Sequence, residues 1–367
     1  MQSLTKAPIT KGTRVLLRAD FNVPMKGKKI EDTFRIDKTM PTINYLLKKK
    51  AIVIILAHLG DDGSATLEPV AKYLGSKVQT VFTRVKDIEG VARVIETLTP
   101  GTVLVVENIR RFDGEKTNDK VFAKSLASLG DVYINDAFSV SHRAHASLVG
   151  IPKYLPSYAG YQLQKEVEQL SKVFDPKHPF LFIIGGAKFE TKLPLITKFL
   201  KTADEIFIAG ALANQVFKEH GFPVGQSVVE DATFGLEKLL KNKKILLPLD
   251  LVVVSPKGKR TTTPDSIAKD EAMLDIGKES LAMIKEKINA AKFILWNGPV
   301  GKLPQGTKKI LEMIAVSKAV SIIGGGDTVD LVSRYNMEKD FTFVSTGGGA
   351  TLDFLSTGTL PAIKALK

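Results

Sequence analysis

The sequence predicts an α/β protein of two Rossmann-like domains, each a doubly wound parallel sheet, joined by a helix and a hinge. Three observations carry that expectation. Short, β-branched apolar runs alternate along the chain with stretches of helical spacing. Glycines cluster immediately after those runs in the second half. The chain has 367 residues, too many for one compact core.

In the first half the predicted strands are Arg14–Arg18, Ile52–Ala57, Val103–Val106 and Val132–Ile134. In the second half they are Phe180–Ile184, Glu205–Ala209, Ile245–Val254, Phe293–Trp296, Val320–Ile323 and Phe341–Val344. Runs this short and continuously apolar suit parallel strands covered on both faces. The expected domains are 1–156 and 176–354, with an interdomain helix over 157–175 and a closing segment 355–367. Leu163, Val167, Leu170 and Phe174 form the predicted buried stripe of that helix, and Asp175–Pro179 ends it.

Composition narrows the function classes. Lys and Arg outnumber Asp and Glu by 52 to 39, a formal charge of +13, which favours anionic partners. With no cysteine, disulfides, thiolate nucleophiles and Cys-ligated zinc are excluded. The opening residues show no apolar leader, and no apolar run reaches the roughly 18 residues of a membrane span, so a cytoplasmic protein without membrane partners is expected.

Glycine follows strand after strand in the second half: Gly185–Gly186, Gly210, Gly298, Gly324–Gly326 and Gly347–Gly349. In an open parallel sheet the loops at the carboxyl ends of strands line the ligand crevice, and a helix start there offers N–H groups to phosphate. Neither a P-loop nor a G-x-G-x-x-G fingerprint is present. Lys188 and Lys192, four apart beyond Gly185–Gly186, are the candidates to hold phosphate, both ammonium groups being expected on one helix face. Asp327, with Thr328 after it, is a candidate magnesium ligand; an N-terminal helix cap is the competing reading. The first half carries Asp20, Asn22, Arg35, His58, Arg110 and Arg143, most of them just after strands, a set suited to a small anion with two acidic ends.

Together, ADFNVP (19–24), AHLG (57–60), ENIRRF (107–112), NDAFSVSHRAHAS (135–147), GGAKFETK (185–192), LWNGPVG (295–301), IIGGGDT (322–328) and STGGGATLDFL (345–355) resemble the phosphoglycerate kinase family, in its order and over nearly the whole chain. The resemblance implies an N-terminal domain that binds 3-phosphoglycerate or 1,3-bisphosphoglycerate and a C-terminal domain that binds ADP or ATP with Mg2+. It implies that Asp20, Asn22, Arg35, His58, Arg110 and Arg143 hold the glycerate. Gly186, Lys188, Lys192, Gly210, Asn297, Gly325, Gly326, Asp327 and Thr328 would surround the nucleotide phosphates and metal, with Asp327 as the metal ligand. Arg35, Lys188, Lys192, Gly348 and Gly349 would stabilise the moving phosphoryl group. The reaction would proceed by hinge closure in a monomer, and Leu360–Lys367 would return to the first domain.

The chain departs from the family pattern in three places. Asp61 and Asp62 follow His-Leu-Gly where the family usually has Arg, with Arg111 a candidate replacement. Lys302-Leu303-Pro304 stand where an acidic residue usually touches the ribose. Ala209 and Ala211 flank Gly210. The rival readings are a weakened nucleotide-binding relative, a two-domain oxidoreductase, and a nucleic-acid binder driven by charge. The last lacks a recognition motif, so no nucleic-acid partner is expected.

Overall fold

A computed structural model describes residues 1–85 and 87–366, without the side chains of Glu237 and Lys238. It divides into two compact units, Met1–Glu168 with Thr357–Lys367, and Gln169–Ser356. Lys367, the last residue of the expected closing segment, lies outside the described residues.

The first unit contains β1 (Arg14–Arg18), β2 (Met25–Lys26), β3 (Lys29–Ile30), β4 (Ile52–Leu56), β5 (Thr80–Thr83), β6 (Val103–Val106), β7 (Val132–Asn135) and β8 (Ser157–Ala159). Six of these form a sheet in the order β5-β6-β4-β1-β7-β8, every pair parallel. Consecutive residues of its central strands bury opposite faces. Val15, Leu17, Val53 and Ile55 join one core cluster, while Leu16, Ile54, Leu104 and Tyr133 are just as inaccessible on the other side. Double coverage is what a continuously apolar parallel strand requires. Two of the helices, Ile88–Glu96 and Lys120–Ser128, start on side-chain caps: Asp87 accepts from the Gly90 N–H at 2.6 Å, and Asp119 from that of Phe122 at 2.7 Å. The helix Pro361–Ala365 belongs to this unit. Ala362 donates to the Ser141 carbonyl and packs with Ala137, Val140 and Leu148.

The second unit holds β9 (Phe180–Ile184), β10 (Glu205–Ile208), β11 (Ile245–Leu246), β12 (Leu251–Ser255), β13 (Gly258–Thr262), β14 (Ala272–Ile276), β15 (Phe293–Asn297), β16 (Val320–Gly324) and β17 (Phe343–Val344). Its main sheet runs β11-β10-β9-β15-β16-β17, again wholly parallel. From β9 the chain steps outward through β10 to β11 and then returns to the other side at β15. The direction of winding therefore reverses between β9 and β15, and a crevice opens at the carboxyl ends of these strands. The first unit has the same reversal between β1 and β7.

The predicted run Ile245–Val254 is not one strand. Pro248 interrupts it, and the Asp250 carboxylate accepts the N–H of Ser280 at 2.8 Å, turning the chain away. Beyond that turn, β12 pairs antiparallel with β13 and β14 in a separate three-stranded sheet. Strands β5 and β8 have no counterpart among the predicted strands: both are short and β5 is only half-buried, so they carry little apolar signal. The helix expected from residue 157 begins at Tyr161, where Asp136 Oδ1 accepts the N–H groups of Gln162 and Leu163. It runs to Ser171, and the boundary between the units falls within it. Leu163 and Leu170 are buried, Val167 and Phe174 half-buried.

Candidate active site

In the first unit, polar side chains gather at the carboxyl ends of β1, β4, β6 and β7. Asp20, just past β1, is buried; it accepts from Ser139 Oγ at 2.6 Å and lies 3.3 Å from an Arg35 nitrogen. The same Arg35 nitrogen donates to the Asn22 carbonyl at 3.2 Å, so Asp20 and Asn22 aim this guanidinium. Asn22 Oδ1 accepts from the Gly60 N–H at 3.0 Å, tying the loop after β1 to the loop after β4.

His58 lies just past β4 and is fully buried. Burial, with Arg18, Arg110 and Arg35 nearby, holds its pKa well below the usual imidazole value, so the ring is neutral. A nitrogen of the Arg18 guanidinium, which can only donate, lies 3.4 Å from Nδ1. Nε2 therefore carries the proton and is the atom left to donate to an anion. His145 reports the same field. Burial and then Arg110, Arg18 and Arg143 lower its pKa to about 4. Arg143 itself is exposed, on the turn after β7.

Arg110 is almost wholly covered. Its Nη1 donates to the Gly60 carbonyl at 2.8 Å and to Asp61 Oδ1 at 2.6 Å, while its buried Nε has no partner. Arg111 is committed elsewhere: it donates to the carbonyls of Gly63 and Ser64 at 3.0 Å each and pairs with Glu107. It holds the 60–64 loop in place and does not replace the missing cation at position 61.

Beneath this cluster lies a network that sequence reasoning missed. Arg18 donates to Ser147 Oγ at 2.9 Å, and Glu115 accepts from Ser147 Oγ at 2.6 Å and from its N–H at 2.9 Å, all of it buried. The only signal was an arginine at the end of an apolar strand.

In the second unit the junctions after β9 and β15 meet across the reversal of winding. The Gly185 N–H donates to the Asn297 carbonyl and that of Gly186 to the Pro299 carbonyl, each at 3.0 Å. Lys192, on the helix Phe189–Phe199, is buried against this junction and donates its ammonium to the Gly185 carbonyl. Burial lowers its pKa to about 8, with Asp327 opposing the shift. Lys188 is the cap residue before that helix and is exposed, so the two lysines do not share a helix face as the spacing suggested.

Asn297 Nδ2 and Thr328 Oγ1 are both buried and without partners, two polar groups awaiting one. Gly325 has φ +90°, and a Cβ there would fall 3.2 Å from Asn297 Oδ1. Gly326 opens the helix Gly326–Arg334, and Asp327 is exposed in its first turn. A cleft of about 400 Å³ adjoins this cradle, lined among others by Gly186, Gly210, Ala211, Met273, Asp275 and Asp327. The 302–304 segment brings no acid to it; Lys302 and Leu303 bond through their N–H groups to the Leu274 carbonyl. Gly348 and Gly349 follow β17, two strands away from β15 in the sheet order.

The family model described as phosphoglycerate kinase matches residues 6–358. The chain belongs to the phosphoglycerate kinase family. A curated phosphoglycerate kinase of Dictyoglomus turgidum is 40% identical, over 97% of this chain and 96% of the relative. One from Pseudothermotoga lettingae is 39% identical, over 96% and 95%. The solved phosphoglycerate kinase of Coxiella burnetii superposes with a TM-score of 0.84 at 34% identity, covering 99% of this chain and 98% of that one. That of Pyrococcus horikoshii gives 0.85 at 29%, covering 100% and 98%. Membership makes this chain a kinase of glycolysis, and the weakened, oxidoreductase and nucleic-acid readings are not favoured.

Proposed function

We propose that the chain transfers a phosphoryl group reversibly between 1,3-bisphosphoglycerate and ADP, giving 3-phosphoglycerate and ATP. The arginine cluster of the first unit would bind the phosphoglycerate, and the glycine cradle of the second the nucleotide. The observation that carries this reading is that the buried Lys192 and two orphaned buried groups, Asn297 Nδ2 and Thr328 Oγ1, all stand at the strand-end junctions of the second unit, beside a cleft at the reversal of winding.

Starting from ATP, a carboxylate oxygen of 3-phosphoglycerate attacks the γ-phosphorus as its bond to the β-phosphate oxygen breaks. An acyl phosphate and ADP result. The acceptor is already ionised at neutral pH, so no proton moves and no general base is needed; a neutral His58 fits that requirement. Catalysis reduces to alignment and to charge stabilisation. Arg35, aimed by Asp20, and Lys192 would supply cations. Gly348 and Gly349 would offer N–H groups, and Asn22, Arg110 and Arg143 would orient the glycerate. Lys188, Gly186, Gly210, Gly325 and Gly326 would line the phosphates. With acceptor and donor on different units, turnover requires hinge closure, in a cytoplasmic monomer.

Among the described residues no group of three or more His, Asp or Glu could cage a metal. A lone exposed carboxylate such as Asp327 fits magnesium, which is commonly held by one or two carboxylates plus substrate phosphates. Asp327 would be its protein ligand, and the bound ion would neutralise phosphate charge. The test is a coupled assay with purified protein, MgATP and 3-phosphoglycerate: turnover well above background supports the reading, and background rates overturn it.

A further inference from the structure

We infer that Asp61 is a built-in competitor for the anion that Arg110 binds, and so sets how tightly the first unit holds its phosphorylated ligand; this rests on reading that cluster as the phosphoglycerate site.

The cluster around Arg110 is strongly cationic. Arg18 and Arg110 act on both of the buried or half-buried histidines beside it, Arg35 acts on His58, and Arg143 and Lys116 act on His145. Most nearby carboxylates are already used by the fold. Asp20 accepts from Ser139 and faces Arg35. Glu115 accepts twice from Ser147. Glu107 accepts from Thr66 Oγ1 and from the N–H groups of Leu67 and Asn108. Asp61 is different: its side chain is fully exposed while its Oδ1 lies 2.6 Å from the nearly covered Arg110.

The loop enforces that placement. Asp62 Oδ1 accepts the N–H and hydroxyl of Ser64, Arg111 holds the Gly63 and Ser64 carbonyls, and Asn22 anchors the Gly60 N–H. Asp61 thus presents a carboxylate where an incoming anion would dock. It occupies one nitrogen of the guanidinium and leaves Nε unpaired. A phosphate or carboxylate offering two oxygens to the fork would engage donors that Asp61 leaves idle. Because Asp61 keeps full contact with water, it can swing away without a desolvation penalty. Displaced, it still repels a multiply charged ligand across a few ångströms.

Asp61→Asn removes the charge at constant shape, and Asp61→Glu retains it. At low salt the Asn variant is expected to bind 3-phosphoglycerate, measured by calorimetry without nucleotide, roughly tenfold more tightly than the parent. KM for 3-phosphoglycerate should fall in parallel, the Glu variant should stay near the parent, and the gain should shrink as salt rises. Equal or weaker binding by the Asn variant overturns the proposal, as does a Glu variant that tightens equally. Inorganic phosphate separates the two claims. If the Asn variant binds phosphate more tightly but neither form binds 3-phosphoglycerate, Asp61 competes as inferred and the substrate reading fails. If the parent turns over 3-phosphoglycerate but the Asn change leaves affinity for both ligands unaltered, the substrate reading stands and the competitor is refuted.

Discussion

A Cβ placed on Gly298 would lie 2.8 Å from Lys192 Nζ and 2.3 Å from the Gly185 carbonyl oxygen, so the bare backbone at 298 is what lets the lysine reach the reversal of winding. Gly298 also has φ +90°. Gly298→Ala is therefore strained twice. It should destabilise the second unit by on the order of 1–3 kcal/mol and displace the ammonium. Thermal unfolding with and without MgADP checks this: the expected variant melts lower and loses most of its stabilisation by nucleotide.

Lys192→Ala should reduce turnover by about 10²–10³ while the fold survives. Near-parental turnover with an intact circular dichroism spectrum would remove Lys192 from its assigned role. The pH dependence comes from its lowered pKa of about 8. Below that value the side chain is an ammonium able to meet phosphate, and above it the charge is lost. In the free enzyme, kcat/KM for ATP should fall as pH rises through about 8, and the Lys192→Arg variant should lack that limb.

Arg35→Ala should also abolish most turnover, because Asp20 and Asn22 hold this guanidinium in a fixed direction. Steady-state rates at saturating 3-phosphoglycerate check it; full recovery at high substrate would mean that Arg35 only binds.

The two halves of this site were not equally legible in the sequence. Glycines after β9, β15 and β16 stand where a close backbone approach needs them, and the place of Lys192 just beyond the Gly185–Gly186 turn picked it out. The spacing of the two lysines placed Lys188 wrongly. A four-residue interval describes a helix face only inside a helix, and this one begins a residue later, at Phe189. Asn297 reads as one more polar residue after a strand; its unsatisfied amide exists only in three dimensions. The Arg18–Ser147–Glu115 network ties Arg18 to a residue 129 positions along the chain, and no local pattern marks it. Strand existence was plain wherever both faces are buried, as in β4 and β9. It was hidden in half-buried β5, and Pro248 divided what looked like one long run.

Asp327→Ala should weaken MgADP binding about tenfold or more and leave metal-free ADP binding nearly unchanged. Parallel titrations with and without magnesium provide the check. Equal loss in both would mean that Asp327 acts on the nucleotide without the metal, since the cap of its helix is Gly325 and Asp327 makes no side-chain cap bond.

Acid should destabilise the first unit through its histidines. His145 and His58 both titrate lower folded than unfolded, so the folded state binds fewer protons between them. Their contribution is intact above about pH 6.5 and is lost progressively as pH falls toward about 4, the folded value of His145. Urea melts across that range should show a shallower decline for His145→Gln than for the parent. A parent whose stability is flat from about pH 6.5 to about pH 5 would contradict this.

The most direct measurement is phosphorus NMR of the protein with MgATP and 3-phosphoglycerate, following the γ-phosphoryl group. The account predicts an acyl phosphate resonance and ADP formed in equal amounts, dependent on both substrates and nearly absent with Lys192→Ala. ATP consumed to inorganic phosphate at a rate indifferent to 3-phosphoglycerate, or no transfer by the folded parent, would contradict it.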